Sequence, residues 1–278
     1  MSRFLIQTDL HDEFWQELTW PDRRMLIKEE VDAILLAGDL STKGRTLDVM
    51  LDAWKKTGLP VRAVYGNHDF YHASLPERRE IDQLRLARLR ADGADIDILE
   101  RKAEMIAGAR LLGCTLWTDL GLYPSQAELI RKVVERDFND FTHIRKFRIV
   151  DWLAEHVQDR DFVFTALEND VPEPTLVMTH HLPLLELLHP IRSMGPLQEV
   201  ARNGGYASDL AAQIQPHRVA AWLCGHSHDN HRHVLKGAHG PIPFVTNARG
   251  YPKERCAFDP GKILTISEKG ATCSRIEF

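Results

Sequence analysis

The sequence predicts an α/β sandwich, and three observations support this fold class. Short apolar runs that end in turn residues recur in the first third of the chain, stretches of helical character separate them, and similar apolar runs return in the second half. Alternating strands and helices are typical of parallel βαβ units. The chain has 278 residues, of which 44% are hydrophobic, and this is enough to bury a sizeable core.

The first third of the chain holds three predicted strands and two predicted helices. Residues 4–7, 33–37 and 61–65 are short apolar runs rich in branched side chains, which is the pattern of buried strands. Residues 22–31 and 47–57 lie between these runs and have helical character. We therefore expect a parallel sheet whose strands are joined by helices.

The middle of the chain, at about residues 74–170, is predicted to be a helical elaboration. Ser74 and Glu77 form an S-x-x-E capping box ahead of apolar residues at helical spacing, which predicts a helix to about residue 90. Ser125 and Glu128 repeat this pattern. The segment is also expected to hold a helix at residues 144–157 and strands near residue 105 and at residues 110–117.

The second half returns to buried strands and ends in a hairpin tail. The tail contains two turn sequences, Asp259-Pro260-Gly261 and Lys269-Gly270, which predict antiparallel hairpins. The predicted elements are strands at residues 175–179, 219–224 and 242–246, a short helix near residues 207–213, and hairpin strands at residues 256–258 and 263–266. His231 and His233 are interpreted as surface hairpin residues.

Charge and cysteine usage exclude several classes of protein. The chain has 35 basic and 40 acidic residues, a net charge of −5 and no long block of one sign, which argues against a nucleic-acid partner. No apolar run approaches the roughly 18 residues that span a bilayer, and the first ten residues lack the pattern of a signal peptide. The four cysteines are scattered and form no C-x-x-C pair. We expect a cytoplasmic protein with no membrane partner.

Five of the predicted strands run directly into residues of the metal-ligand type. In open α/β sheets, ligands bind in the crevice outside the carboxyl ends of the strands, so these residues are expected to converge. The five groups are Asp9 and His11, Asp39, Asn67-His68-Asp69, His180-His181, and His226 with His228. A glycine precedes the polar residues in three of them, at Gly38, Gly66 and Gly225, where the chain is expected to turn sharply.

Spacing and donor chemistry indicate a centre with two metal ions. The i, i+2 spacing of Asp9 with His11, and of His226 with His228, places both side chains of each pair on one face of an extended chain. Imidazole nitrogens together with carboxylate and amide oxygens suit a mixed binuclear site. Two metals roughly 3.5–4 Å apart clamp a phosphate oxygen and activate a bound water, so phosphoester hydrolysis is the favoured reaction.

The five groups resemble the signature of the calcineurin-like metallophosphoesterases. The motifs Asp9-x-His11, Gly38-Asp39, Gly66-Asn67-His68-Asp69, His180 and Gly225-His226-x-His228 match it completely and in order. The resemblance implies a single domain over residues 1–278, with a four-layer αββα sandwich of two mixed sheets flanked by helices. Only the helical elaboration at about residues 74–170 has no motif counterpart.

The resemblance also implies a role for each matched residue. Asp39 would bridge two metal ions, with Asp9, His11 and His228 holding one ion and Asn67, His180 and His226 holding the other. His68 would be catalytic, as proton donor or stabiliser of the leaving oxygen, and Asp69 would orient its imidazole. The cofactors would be two divalent ions drawn from manganese, iron, zinc and nickel.

Two positions leave alternatives open for binding of the substrate. His180 and His181 are adjacent where the family needs one ligand, and we interpret His180 as the ligand and His181 as a residue of the pocket wall or of the layer behind the ligands. Arg249 follows a predicted strand and is either a phosphate contact or a surface residue. Asn67 and His68 complete the predicted substrate-binding set.

The expected function is hydrolysis of a phosphate diester or monoester by metal-bound hydroxide. The expected substrate is a small-molecule phosphoester or a nucleotide, and the oligomeric state is left open. A phosphoprotein phosphatase and a nuclease are the alternative hydrolases. A non-catalytic scaffold of the same fold is the alternative outside enzymes, although such scaffolds usually lose ligands and here the whole set is present.

Overall fold

The computed structural model describes residues 1–230, 232–267 and 270–276, and it contains two six-stranded sheets. The first sheet has the order β12 (Gly270–Arg275), β11 (Lys262–Ser267), β1 (Ser2–Gln7), β2 (Ala33–Ala37), β3 (Val61–Val64) and β4 (Ile96–Ile98). The second has the order β5 (Lys102–Ile106), β6 (Ala109–Gly113), β7 (Thr175–Met178), β8 (Ala221–Cys224), β10 (Gly240–Thr246) and β9 (Arg232–Gly237). His231 and Lys269, which belong to predicted hairpins, lie outside the described residues.

Both sheets are mixed, with parallel strands at the centre. In the first sheet β1 to β4 run parallel, β11 pairs antiparallel with β1, and β12 pairs antiparallel with β11. In the second sheet β6, β7, β8 and β10 run parallel, and β5 and β9 pair antiparallel at the edges. Parallel neighbours bring their carboxyl ends to one edge, and this edge carries the candidate site.

Helices cover the outer faces of the two sheets. The helices of the described chain are α1 (Arg23–Lys28), α2 (Thr46–Thr57), α3 (Leu75–Ala91), α4 (Ala127–Asp137), α5 (Asp140–His143), α6 (Ile149–Glu168), α7 (Leu197–Ala201), α8 (Asn203–Tyr206) and α9 (Ala211–Ile214), and α5 and α8 lie at the edge of the candidate site. Phe4 of β1 and Leu223 of β8 share a buried cluster between the sheets. Leu5 of β1 packs in the cluster that includes Met50 of α2, and Trp222 of β8 packs in the one that includes Val163 of α6.

The central strands are covered by helices on one face and by the other sheet on the opposite face. Burial on both faces explains why these strands are continuous apolar runs. The arrangement confirms the predicted sandwich of two mixed sheets flanked by helices. The strand predicted at residues 33–37 matches β2 at both ends. No helix in the described part of the chain is both long enough and apolar enough to span a membrane.

The segment at residues 74–170 contributes to both sheets as well as supplying helices. β4 extends the first sheet, and β5 and β6 belong to the second, so only part of this segment is an addition outside the sheets. The capping box at Ser74 is present, and the Ser74 N–H donates to the Glu77 carboxylate over 3.4 Å. The box predicted at Ser125 is wrong, because a 3₁₀ turn at Pro124–Gln126 delays the start of α4 to residue 127.

Two further boundaries differ from the prediction. The helix expected at residues 144–157 is α6, which begins at residue 149, after Arg148 and Asp151 form a capping pair, and runs on to residue 168. The tail hairpin joins β11 and β12, and residues 256–258 are not a strand. The turn at residues 259–261 is fixed instead by the loop that follows β10, because the Asp259 N–H donates to Asn247 Oδ1 over 3.1 Å.

Candidate metal centre and active site

The polar residues that follow five strands come together at one edge of the sandwich. The loops after β1, β2 and β3 lie opposite the loops after β7 and β8. A hydrogen bond between these two sets of loops joins the two sheets, because the His226 N–H donates to Asp9 Oδ1 over 2.9 Å. The loop after β10 joins them as well, since the Thr8 N–H donates to the carbonyl of Asn247 over 3.1 Å.

Five of the predicted ligands have backbone conformations in the left-handed region. Their φ angles are 50° at Asp9, 44° at His11, 51° at Asp39, 69° at His226 and 57° at His228. The expectation that each i, i+2 pair lies on one face of an extended strand is therefore wrong. The chain turns sharply past each strand end, and this turn is what directs both side chains inward. Such conformations cost about 1–3 kcal/mol each and are typical of functional sites.

Two of the predicted glycines are required by close approach at this edge. A Cβ atom at Gly66 would collide with Asp39, both with Oδ1 and with the backbone nitrogen. A Cβ atom at Gly225 would collide with the hydroxyl of Thr8 and the carboxylate of Asp9. Any larger residue at either position would push these carboxylates away from the centre.

The first set of donors consists of Asp9, His11 and His228, which we call the Asp9 group. His228 Nε2 lies 3.4 Å from Asp9 Oδ1 and 3.2 Å from His11 Nε2. One ligand atom from each residue falls within 4.8 Å of the other two. Asp9 and His11 are fully buried.

The second set consists of Asn67, His180 and His226, which we call the His180 group. His180 Nε2 lies 3.1 Å from Asn67 Oδ1. Asp39 lies between the two groups, because its Oδ2 atom is 3.3 Å from His180 Nε2 and 3.7 Å from His11 Nε2. A carboxylate in this position can bridge two ions.

Three of the imidazoles are fixed by acceptors behind them. His180 Nδ1 is 2.9 Å from the carbonyl of Ala37, and His226 Nε2 is 3.3 Å from the carbonyl of Gly205. His228 Nδ1 is 2.6 Å from Glu254 Oε2. Such outer acceptors fix the tautomer and leave the second ring nitrogen free to ligate a metal. The residues present therefore fit a pair of metal ions bound through nitrogen and oxygen.

Opposite charges in this centre stabilise one another. Burial raises the pKa of Asp39, but the imidazoles of His180, His68 and His11 together outweigh it and hold that pKa well below its ordinary value. Burial lowers the pKa of His180, and the Asp39 carboxylate reverses this and raises it to about 9. The centre thus keeps its carboxylates ionised and attracts positive charge, which is the electrostatic condition for binding cations.

His68 lies beside the two groups and lines the cavity in front of them. Its backbone N–H donates to Asp39 Oδ1 over 2.9 Å, and its ring stacks on Tyr71 with centroids 4.3 Å apart. Its Nε2 atom lies 3.3 Å from the hydroxyl of Tyr251. Burial lowers the pKa of His68, but the carboxylates of Asp39, Glu13 and Asp140 together outweigh it, so the net shift is upward.

The Asp69 carboxylate does not contact the His68 imidazole, which it was expected to orient. Its carboxylate accepts from the backbone N–H of Asp39 over 3.0 Å, from that of Gly66 over 2.8 Å, and from the Thr46 hydroxyl over 2.7 Å. Within the described chain these partners do not include the His68 ring, so the predicted orienting contact is absent. Asp69 instead ties the loops after β2 and β3 together. Burial raises its pKa to about 7.

The structure separates the four predicted substrate contacts into two pairs. Asn67 and His68 line the cavity, which has a volume of about 460 Å³. His181 is fully buried behind it, with its ring centroid 4.1 Å from that of His226. Arg249 lies over the ring of Trp15 at 4.1 Å and is not among the residues that line the cavity.

Three functional candidates were not predicted from the sequence. Glu254 contacts His228 from a loop without periodic pattern, and no signal in the sequence marks it. Glu13 lies two residues beyond His11, and a carboxylate so close to a predicted ligand was a usable signal. Arg192 lines the cavity from a 3₁₀ turn, and its guanidinium carbon lies 4.6 Å from the ring centre of Tyr206.

A buried carboxylate between two sets of nitrogen and oxygen donors, at the carboxyl edge of a two-sheet sandwich, is typical of metal-dependent hydrolases. The sequence model of the calcineurin-like phosphoesterases matches residues 2–230, and the chain belongs to this family. It is accordingly a hydrolase that acts on phosphoester bonds.

Solved structures show the same fold. A phosphopantetheinyl hydrolase from Mycobacterium tuberculosis is similar with a TM-score of 0.60 and 20% identity, covering 91% of this chain and 90% of that one. A dimetal phosphatase from Danio rerio is similar with a TM-score of 0.56 and 15% identity, covering 99% of each chain. None of the curated proteins compared with the chain matches it significantly.

Proposed function

We propose that the protein hydrolyses a phosphate diester or monoester of a small molecule or nucleotide, with two divalent metal ions bound in its centre. The observation that carries this proposal is the placement of Asp39 between the Asp9 group and the His180 group, 3.7 Å from His11 and 3.3 Å from His180. The Asp9 group would hold one ion, the His180 group the other, and Asp39 both. Manganese, iron, zinc and nickel all suit these donors.

The chemistry divides between the ions and the protein. When bound, two ions would draw charge from the phosphate oxygens and activate a water for in-line attack. His68 is the group of the chain placed to assist the leaving oxygen, because its Nε2 atom faces the cavity beside Tyr251. As the phosphorus–oxygen bond breaks, the proton on Nε2 passes to the leaving oxygen, and His68 is left neutral.

The dimensions of the cavity favour a small substrate. Its volume of about 460 Å³ falls within the range of about 300–1,000 Å³ that is typical of small-molecule sites. The walls include the aromatic side chains of Tyr71, Phe138 and Tyr206. A substrate with a flat or apolar group beside its phosphate would contact these aromatic walls with that group and the polar residues Asp39, Asn67 and His226 with its phosphate side.

Arg192 supports the binding of a phosphate group in this cavity. The Arg192 Nε atom is 2.9 Å from Asp229 Oδ2, and its Nη2 atom donates over 2.9 Å to the carbonyl of Ser227, between the two histidines of the last motif. Within the described chain Nη1 has no hydrogen-bond partner, so this donor is left for an anion. Arg192 is therefore proposed to take the role that the sequence suggested for Arg249.

Two broader assignments belong to the same proposal. Residues 1–278 are proposed to form one domain, because the two sheets share one site and the segment at residues 74–170 supplies strands to both. The cytoplasm is the proposed location, because all four cysteines are free, as in a reducing compartment.

Hydrolysis of two model esters tests the proposed function. Metal-stripped protein is given manganese, iron, zinc or nickel singly, and turnover of bis-p-nitrophenyl phosphate and p-nitrophenyl phosphate is measured. We expect metal-dependent turnover that is lost in Asp39→Asn, because the bridging charge is removed from both ions. A preference between the esters separates diesterase from monoesterase. Two bound ions without turnover of any phosphoester in a broad panel would overturn the proposal and favour a scaffold.

A further inference from the structure

Glu13 carries a buried carboxylate that no step described so far uses. It lies in the 3₁₀ turn Asp12–Phe14, directly after His11, and its side chain is only 17% exposed. Its Oε1 atom lies 3.5 Å from His11 Nδ1 and 3.9 Å from His68 Nδ1. One carboxylate therefore faces two imidazoles of the centre.

The polar atoms that meet here are all without hydrogen bonds. Both carboxylate oxygens of Glu13, the Nδ1 atom of His11 and the Nδ1 atom of His68 are buried and have no partner within hydrogen-bond geometry among the described residues. Buried polar atoms in proteins are nearly always paired. The carboxylate and the two ring nitrogens are the only groups in this set that complement one another, since one is an acceptor and the others can each carry a proton.

Pairing with Glu13 would place both rings in the orientation that the site requires. With Nδ1–H directed to Glu13, the Nε2 atom of His11 stays on the side of His228, 3.2 Å from its Nε2. In the same way the Nε2 atom of His68 stays on the side of the cavity, near Tyr251. The carboxylate thus selects one tautomer at both rings.

The other neighbours of His68 do not offer this contact. Asp69 accepts from backbone N–H groups and the Thr46 hydroxyl. Asp39 accepts from the His68 backbone N–H. Tyr71 contacts the face of the ring and not its edge. Glu13 is the carboxylate that lies nearest to His68 Nδ1 in the described ion pairs.

We propose that Glu13 is the positioning residue of His68, holding its Nδ1–H so that Nε2 faces the leaving oxygen, and that it orients His11 in the same way. This inference rests on the proposed function for its kinetic consequence, since His68 must assist the leaving group. Its structural consequence, the tautomer of the His68 ring, is independent of turnover. The two consequences allow the two proposals to be tested separately.

The kinetic test compares leaving groups. Glu13→Ala and Glu13→Gln are assayed on phenyl and p-nitrophenyl esters, with Glu17→Ala as the matched control because that side chain is 80% exposed. We expect Glu13→Ala to lower kcat on the phenyl ester about 10–100-fold, the usual cost of losing an outer partner. On the p-nitrophenyl ester, whose leaving group needs little proton assistance, the loss should be less than about threefold. Glu13→Gln keeps an acceptor and should recover part of the rate.

A double variant and measurements of metal content distinguish a role of Glu13 in positioning His68 from a loss of metal ions. If Glu13 acts through His68, then Glu13→Ala should cause no further loss on the phenyl ester in a His68→Ala background. Rates are compared at saturating zinc, so that weaker binding of the ion at His11 does not contribute, and the metal content of each variant is measured in parallel. Two ions per chain are expected under this condition. An equal loss on both esters, or a further loss in the double variant, with both ions retained, would overturn the inference.

The tautomer is measured directly in the zinc-loaded protein with ¹⁵N-labelled histidine. At a pH where the His68 ring is neutral, and so carries only the Nδ1 proton that remains after Nε2 has donated, we expect a protonated Nδ1 in the wild type and a mixture of tautomers in Glu13→Ala. Unchanged ring shifts in the variant would overturn the inference whatever the rates show. A wild type that lacks turnover but shows the expected shifts would refute the proposed function and leave the role of Glu13 intact.

Discussion

Glu254 provides the sharpest prediction about how the metal centre is held. Its carboxylate lies 2.6 Å from His228 Nδ1 and also accepts the backbone N–H of Tyr251 over 2.8 Å. In Glu254→Gln the amide oxygen can still accept from one of these donors, but the negative charge behind His228 is lost. Because His228 belongs to the Asp9 group, the substitution should lower the affinity for the ion of that group and leave the affinity for the other ion unchanged.

The expected magnitude follows from this geometry. Loss of an outer carboxylate behind a ligating histidine costs about 10–100-fold in metal affinity, or about 1.4–2.7 kcal/mol. His180 and His226 donate to backbone carbonyls that the substitution does not change. The affinity for the ion of the His180 group should therefore change by less than about twofold. The free energy of unfolding should change by no more than about 0.5 kcal/mol, since Glu254 lies at the surface.

Calorimetric titration of metal-stripped protein with zinc measures both affinities. The wild type should bind two ions in two steps, and Glu254→Gln should weaken only one of them. Glu17→Gln is the control for the loss of a surface charge. Equal weakening of both steps, or no weakening of either, would refute the argument that Glu254 acts through His228.

Two further predictions concern pairs of residues of which only one is expected to have a given role, as metal ligand or as phosphate contact. His180→Ala should lose the ion of the His180 group, whereas His181→Ala should keep both ions by elemental analysis; loss of metal in His181→Ala alone would exchange the two assignments. Arg192→Gln should raise KM for bis-p-nitrophenyl phosphate about tenfold, in line with the roughly 1.5–3 kcal/mol of a charged hydrogen bond partly offset by water. Arg249→Gln should leave KM within about twofold, and the opposite ranking of the two arginines would contradict the placement of the phosphate.

The sequence was most informative where local pattern and fold coincide. β2 could be placed to the residue because it is buried on both faces and ends at a glycine. The Ser74 box was predicted correctly because Ser74 is extended directly before Leu75, where its N–H is within reach of the Glu77 carboxylate. The Ser125 box failed because the preceding Pro124 starts a 3₁₀ turn, and spacing alone does not reveal this.

The residues that hold the ligands from behind could not be found in this way. The convergence of Asp9 and His228 follows from the topology of parallel strands, which a sequence can suggest. The contact of Glu254 with His228 depends on the path of one loop, and the contacts of Asp69 depend on how two loops bend toward each other. Such paths are set by tertiary packing and leave no periodic trace.

The hydrogen bond from His226 to Asp9 joins positions 217 residues apart, and this separation bears on how the protein is made. At a synthesis rate of about 5–20 residues per second, the ribosome needs about 10–40 s to progress from the first of these residues to the last. A nascent chain in that interval offers an incoming ion only part of the donor set. If the proposed donors hold the ions, a complete pair is expected to bind only after His226 has been synthesised, and a chain cut short before His226 is expected to lack part of the second set of donors.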